Sequence, residues 1–271
     1  LQFSNLYFAI WDEIFKDLTS LIQSKQLQQA VEHMALLDHN NLGDEREWGR
    51  AFTVLSAITH GYVWQNGGNN PAKMIPKCLA VPLVAAAKHI GGCPVVSWWP
   101  SMLNNWKIKY ETRPLDLRNV EMQSLYTGSK DERWFFLIHW QIEIQSVPAI
   151  KSVVAAHKAV LDDNPELLRA CLTTIQKTFQ IMKTSLKRIY EHCDPAFFYT
   201  KLRVFLSGWK NSKSLPDGII YEGVSTKPLK FSGASGSQST TFHVFDAVLG
   251  IVHSRKGMTL RDPEKKSIHS R

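Results

Sequence analysis

The sequence predicts a mainly α protein of two lobes, a small mixed N-terminal lobe followed by a larger helical one. Three observations lead to this expectation. Apolar residues recur at three- and four-residue steps over much of the chain, breakers crowd the first half, and period-two strand alternation is weak throughout.

Over residues 9–22, Ile10, Trp11, Ile14, Phe15, Leu18, Leu21 and Ile22 repeat as one buried helical face. A second helix is expected over 45–64, ending at Gln65-Asn-Gly-Gly-Asn-Asn-Pro71, a run that the chain can use only as a turn. Pro76, Pro82 and Pro94 are expected to divide the next stretch into short pieces, and Arg113-Pro114 marks another extended break. The second half is more regular. Residues 134–161 form one long pattern, expected to kink at Pro148. Asn164-Pro165-Glu166 then supplies a cap, a first-turn proline and a favourable charge for a helix carrying Leu168, Leu172, Ile175, Phe179, Met182, Leu186 and Ile189. Asp194-Pro195 repeats the signal for a helix with Phe197, Phe198, Leu202, Arg203 and Leu206, stopped by Gly208. An irregular stretch over 211–237 precedes a last stripe of Phe242, Phe245, Val248, Leu249 and Val252.

Of 271 residues, 44% are hydrophobic and 11% aromatic, enough for a substantial core and against wholesale disorder. The net charge is +8, yet residues 254–271 hold six basic side chains against two acidic ones, so half of the excess lies in this tail. The rest intersperses both signs like a solvated surface, and no nucleic-acid partner is expected. The longest mostly apolar stretch, 79–87, is interrupted by Pro82 and falls far short of the ~20 residues of a membrane span. The four cysteines form no CxxC pair and are expected as thiols. With no leader pattern at the start, a cytoplasmic protein is expected, and the opening Leu1 suggests a fragment or a trimmed chain.

Three features exceed the background of a helical core. Arg203 sits among Phe197, Phe198, Leu202, Phe205 and Leu206, company in which a guanidinium is costly unless its fork meets a carboxylate. It reads equally as a structural ion pair or as a clamp for an anionic ligand. His139 follows Phe135 by one helical turn, so the two share a face and could line one cavity, although a lone histidine on an apolar face is more often a core residue. The Gly/Ser-rich loop 232–237 could approach a ligand closely, but it lacks the lysine of a phosphate-binding loop, and a flexible connector is the blander reading. There is no zinc-finger spacing, no GxSxG elbow and no paired carboxylates.

As strings these features say more. Asp194-Pro-Ala-Phe-Phe-Tyr-Thr-Lys-Leu-Arg-Val-Phe-Leu-Ser-Gly-Trp209, Leu215-Pro-Asp-Gly-Ile-Ile-Tyr-Glu-Gly223, Phe231-Ser-Gly-Ala-Ser-Gly-Ser-Gln-Ser239 and Phe245-Asp-Ala-Val-Leu-Gly-Ile251 closely resemble the indoleamine 2,3-dioxygenase family in order and spacing. Shorter matches over 55–64, 75–82, 105–106 and 135–137 extend the resemblance to about Val252. It implies a two-lobe helical protein with heme b and its iron, a cytoplasmic monomer. Such a protein inserts O2 into the indole ring of L-tryptophan, or a related indoleamine, to give N-formylkynurenine, the first step of tryptophan catabolism by the kynurenine pathway. The lobes are expected at 1–127 and 128–253, followed by a basic, disordered tail at 254–271.

By the same resemblance, Arg203 matches the arginine that pairs with the substrate carboxylate, Phe198 the ring on the indole side, and Phe135 the ring deeper in the pocket. Trp98, Ser101, Met102 and Leu206 fall at wall positions, and Gly233, Ala234, Ser235 and Gly236 match the loop over the haem edge. His139 falls where relatives carry Ser or His and is the candidate catalytic position, with orientation of the substrate the favoured role. The resemblance also implies a departure. Relatives continue to a Met-Pro-Pro-x-His-type segment with the proximal iron ligand, which has no counterpart here, so His253 and His269 receive no ligand role and the haem lobe is expected to be incomplete. The alternative is a non-catalytic helical interaction protein that has lost the iron site.

Overall fold

The computed structural model describes residues 3–254 and 257–260. The chain is mainly helical, as expected, and condenses into two compact units, Leu1–Trp140 with Arg188–Ser235, and Gln141–Lys187 with Gly236–Arg271. The expected boundary near residue 127 falls inside the first unit.

In the first unit, helices α1 (Ala9–Lys16), α2 (Leu18–Gln23) and α3 (Leu27–Glu32) pack on α4 (Glu45–Trp64). The single helix expected over 9–22 is interrupted at Asp17, whose backbone leaves the helical range at φ −94° and ψ 10°. Asp44 caps α4 by accepting from the Arg46 and Glu47 N–H groups at 3.0 and 2.9 Å, and α4 is buried over most of its length. Helix α5 (Lys77–His89) runs through Pro82, so the expected division there does not occur. Leu79, Ala80, Leu83, Ala86 and Ala87 are fully buried and α5 packs against α4, which outweighs the one hydrogen bond that Pro82 removes. Two small sheets complete this frame. Strand β1 (Met74–Ile75) pairs in parallel with β4 (Ile220–Tyr221), and β2 (Trp106–Ile108) pairs antiparallel with β3 (Val120–Met122). A buried ion pair ties α1 to α4: Arg50 Nε and Nη2 donate to Asp12 Oδ1 at 2.9 and 2.6 Å, and Nη1 donates to Gln123 Oε1 at 2.7 Å.

Helix α6 (Lys130–Leu161) contributes its first eleven residues to this unit and passes Pro148 without a break. The second unit holds the rest of α6, α7 (Pro165–Lys187), α10 (Thr240–Leu249) and the hairpin of β5 (Ile251–Ser254) and β6 (Gly257–Leu260). Asn164 Oδ1 accepts the Leu167 N–H at 3.0 Å, the cap that the sequence announces. Thr241 donates to Glu143 Oε2 at 2.6 Å and lies 3.1 Å from Ser146 Oγ, and Phe179 meets Phe245 edge-on at 4.6 Å. The remainder of the expected basic tail, 255–256 and 261–271, including His269, lies outside the described residues.

All four cysteines are free thiols. Cys78, Cys171 and Cys193 are buried, and Cys93 is exposed. Among the described residues no helix is long and apolar enough to cross a membrane.

Candidate functional site

Two π-helical turns hold Ser101, Met102 and Phe198 and are flanked by Trp98 and Arg203. The first, Trp99–Leu103, closes with the Asn104 N–H donating to the Trp99 carbonyl at 3.1 Å, and it holds Ser101 and Met102 directly after Trp98. The second, Phe198–Leu202, joins α8 (Pro195–Phe197) to α9 (Arg203–Leu206) and closes with the Arg203 N–H on the Phe198 carbonyl. Asp194 starts this run by accepting the Ala196 N–H at 2.8 Å, as its sequence signal predicts. Hydrogen bonds from residue i to i−5 are rare and concentrate at functional sites because they rotate side chains out of the ordinary helical register.

Phe135 and His139, one turn apart on α6, meet these turns in a cluster of rings. Phe135 stacks on Phe198 with centroids 4.7 Å apart and planes at 27°. His139 lies 4.3 Å from Phe135, and Trp98 approaches His139 edge-on at 5.3 Å. The His139 ring is held by Nδ1, 2.7 Å from the Phe135 carbonyl oxygen. Phe135, Phe198 and His139 are half-buried, so ring surface remains for a planar ligand.

Arg203 is exposed, and among the described residues its guanidinium pairs with no carboxylate. The expected cost of burying it therefore does not arise, and the structural ion pair, one of its two readings, is absent. Trp98, Ser101, Met102 and Leu206 are buried, and Met102 and Leu206 pack in the core. Ser101 donates to the Ser97 carbonyl at 2.9 Å and lines, with Ser56, Ser124, Tyr126 and Phe136, a void of about 10 Å³. That volume is far below the several hundred Å³ of a typical ligand pocket.

The Gly/Ser-rich loop is pinned, contrary to its reading as a flexible connector. The Ala234 N–H donates to the Leu206 carbonyl at 3.0 Å, and the Trp209 and Lys210 N–H groups donate to the Phe231 carbonyl at 3.0 and 2.9 Å. This seam requires glycine on both sides. A Cβ on Gly233 would stand 2.1 Å from the Leu206 oxygen, and one on Gly208 would stand 2.3 Å from the Phe231 oxygen. Gly233 and Ala234 thus lie against the end of α9, whereas Ser235 is exposed and Gly236 opens a short 3₁₀ turn, Gly236–Gln238.

The donors available decide how far these residues fit a haem. Both ring nitrogens of the buried His60 are engaged, His253 Nε2 meets Asp246 at 2.6 Å, and the described residues contain no cluster of three or more metal-ligating side chains. Among the described residues no side chain is assigned to the iron. Sequence reasoning did not single out the buried His60, Tyr126 and Glu132. The available signal, for His60 alone, was a histidine within the mostly uncharged run 51–64 of α4.

The family model of indoleamine 2,3-dioxygenase matches residues 2–271, past the point where the strings above cease to align. Indoleamine 2,3-dioxygenase 2 of Homo sapiens is 38% identical over 250 residues, covering 92% of this chain and 61% of that protein. Indoleamine 2,3-dioxygenase of Saccharomyces cerevisiae is 33% identical over 93% of this chain and 58% of its own length. A protein named myoglobin from Haliotis madaka is 31% identical over 94% of this chain and 66% of its own length. The chain spans about three-fifths of the length of the first curated relatives that it matches.

Proposed function

The chain belongs to the indoleamine 2,3-dioxygenase family, and from that premise we propose that its first unit supplies the amino-acid-binding side of a haem-dependent dioxygenase acting on L-tryptophan or a related indoleamine. The reaction inserts O2 into the indole ring to give N-formylkynurenine, opening tryptophan catabolism by the kynurenine pathway in a cytoplasmic, monomeric enzyme. The relatives named as dioxygenases support this reading over a non-catalytic interaction protein.

One observation carries the proposal: Phe135 stacks on Phe198 and meets His139, and the turn that carries Phe198 leads into Arg203, which pairs with no carboxylate among the described residues. The aromatic faces take the indole, and the Arg203 fork takes the substrate carboxylate by charge-assisted hydrogen bonds. With Nδ1 2.7 Å from the Phe135 carbonyl oxygen, the His139 ring is held in place, and its role in this reading is to orient the indole. Gly233 and Ala234, fixed against α9, hold the loop expected over the haem edge and help to exclude water. Haem b supplies dioxygen activation when bound.

The protein supplied with haemin tests this reading. A Soret band that shifts on adding L-tryptophan, with N-formylkynurenine appearing under a reductant and O2, is the expected result. Haem uptake with neither a spectral shift nor binding heat on adding L-tryptophan would sink it.

A further inference from the structure

Three segments carry the candidate site: residues 96–103, residues 198–206 and the start of α6. A fully buried histidine of α4 stands between the first two. His60 Nδ1 lies 2.8 Å from the carbonyl oxygen of Phe205 in α9, and the Val96 N–H donates to His60 Nε2 at 3.0 Å. A carbonyl can only accept and a backbone N–H can only donate. The two partners together therefore assign a neutral ring with its proton on Nδ1.

The connection continues into α6. The Phe205 ring stacks on Tyr126 at 4.9 Å with planes at 7°. The Tyr126 N–H donates to the buried Glu132 at 2.7 Å, and Glu132 also accepts from the Thr127 and Gly128 N–H groups at 2.6 and 3.1 Å. Glu132 precedes Phe135 and His139 by three and seven residues on one helical face. The Trp209 ring, 4.8 Å away, closes the other side of His60, and Trp209 itself donates to the Tyr221 hydroxyl, which donates to the Pro94 carbonyl at 2.6 Å.

We propose that His60 is a positioning residue of this site: through two buried hydrogen bonds its neutral ring ties the segment leading into the first π-helical turn to the helix that follows the second, and so holds Trp98 in register with Phe198 and Arg203. The bracket is a matter of geometry, whereas its consequence for L-tryptophan rests on the function proposed above. An apolar side chain of similar size fills the space but leaves the Val96 N–H and the Phe205 carbonyl without partners, which is costly in a buried site. Burial holds the imidazole pKa down to about 4, the Phe205 carbonyl acting in the opposite sense, so the ring stays neutral in ordinary buffers.

The test compares the wild type, His60→Leu and His60→Gln as full chains, by amide hydrogen exchange and by calorimetric titration with L-tryptophan. In His60→Leu, exchange is expected to rise together in peptides covering 96–103 and 198–206, with L-tryptophan binding weakened roughly tenfold or more. His60→Gln, which retains one donor and one acceptor, is expected to recover part of both. Exchange unchanged in those peptides, or raised uniformly across the unit with Gln no better than Leu, overturns the bracket. Should His60→Leu fail to fold, the imidazole ¹⁵N signals of the wild type decide: a constant Nδ1–H pattern between about pH 8 and 5 supports the assignment, and titration near the ordinary ~6.5 refutes it. A wild type that binds no L-tryptophan sinks the functional reading alone, because the exchange result still judges the bracket.

Discussion

The backbone N–H of Arg203 donates to the carbonyl oxygen of Phe198, five residues earlier. In an α-helix, residues five apart point about 140° away from one another around the axis. A π turn reduces that angle, as the proposed binding of one amino acid by the Phe198 ring and the Arg203 guanidinium requires.

Arg203→Ala is expected to separate the carboxylate from the indole. Affinity for L-tryptophan should fall about 10- to 100-fold, while tryptamine, which lacks the carboxylate, should bind as before. Because Arg203 is exposed, the urea midpoint should shift by no more than about 0.5 kcal/mol in stability. Equal losses for both ligands in calorimetry would remove the clamp.

Phe135 and Phe198 should be coupled. A double-mutant cycle to alanine, read by urea unfolding, is expected to give about 0.5–1.5 kcal/mol of interaction beyond the single losses, in keeping with a 4.7 Å stack. Strict additivity would mean that the rings touch without supporting one another.

Gly233→Ala should destabilise the protein by about 1–3 kcal/mol, since the new methyl overlaps the Leu206 carbonyl and the loop must lift. Ser232→Ala, exposed next to it, is the control and should be nearly silent. Comparable urea midpoints for the two variants would contradict the seam.

Arg50→Met should cost about 3–5 kcal/mol, because it strands the Asp12 carboxylate, which is only 13% exposed. Adding Asp12→Asn should recover a substantial part of the loss. Chemical denaturation of the two variants checks this, and an additive double variant would show that the pair is not coupled.

His60 predicts a pH dependence with a definite sign. Its folded value of about 4 lies below the 6.5 of an unperturbed imidazole, so the unfolded chain binds the extra proton between those values. Its contribution to stability is complete above pH 6.5 and is lost as pH falls toward 4, by about 3 kcal/mol at most. Urea midpoints collected across that window should fall less steeply for His60→Gln than for the wild type. Parallel curves would assign the slope to other groups.

Features determined by local chemistry were legible in the sequence. Asn164 and Asp194 cap where their position before Pro165 and Pro195 indicates, and α4 spans the expected 45–64. The break at Asp17 and the continuity through Pro82 were not; at Pro82 the packing of α5 against α4 overrides the local preference. The π turns leave no compositional mark: Phe198 and Arg203 were identified by resemblance, but the hydrogen bond joining them was not. Arg203 looked costly because its neighbours in sequence are apolar, yet its own side chain reaches solvent. The loop looked loose because its partners, 206–210, lie some 25 residues earlier. His60 escaped notice for the same reason, as both of its partners are backbone atoms, 36 and 145 residues away.

Cys93 offers a practical opening. It is the exposed thiol of four and sits three residues ahead of Val96, on the stretch leading to Trp98. A maleimide fluorophore can therefore be attached there without engineering, and its polarisation would report in real time whether that stretch tightens when an amino acid arrives.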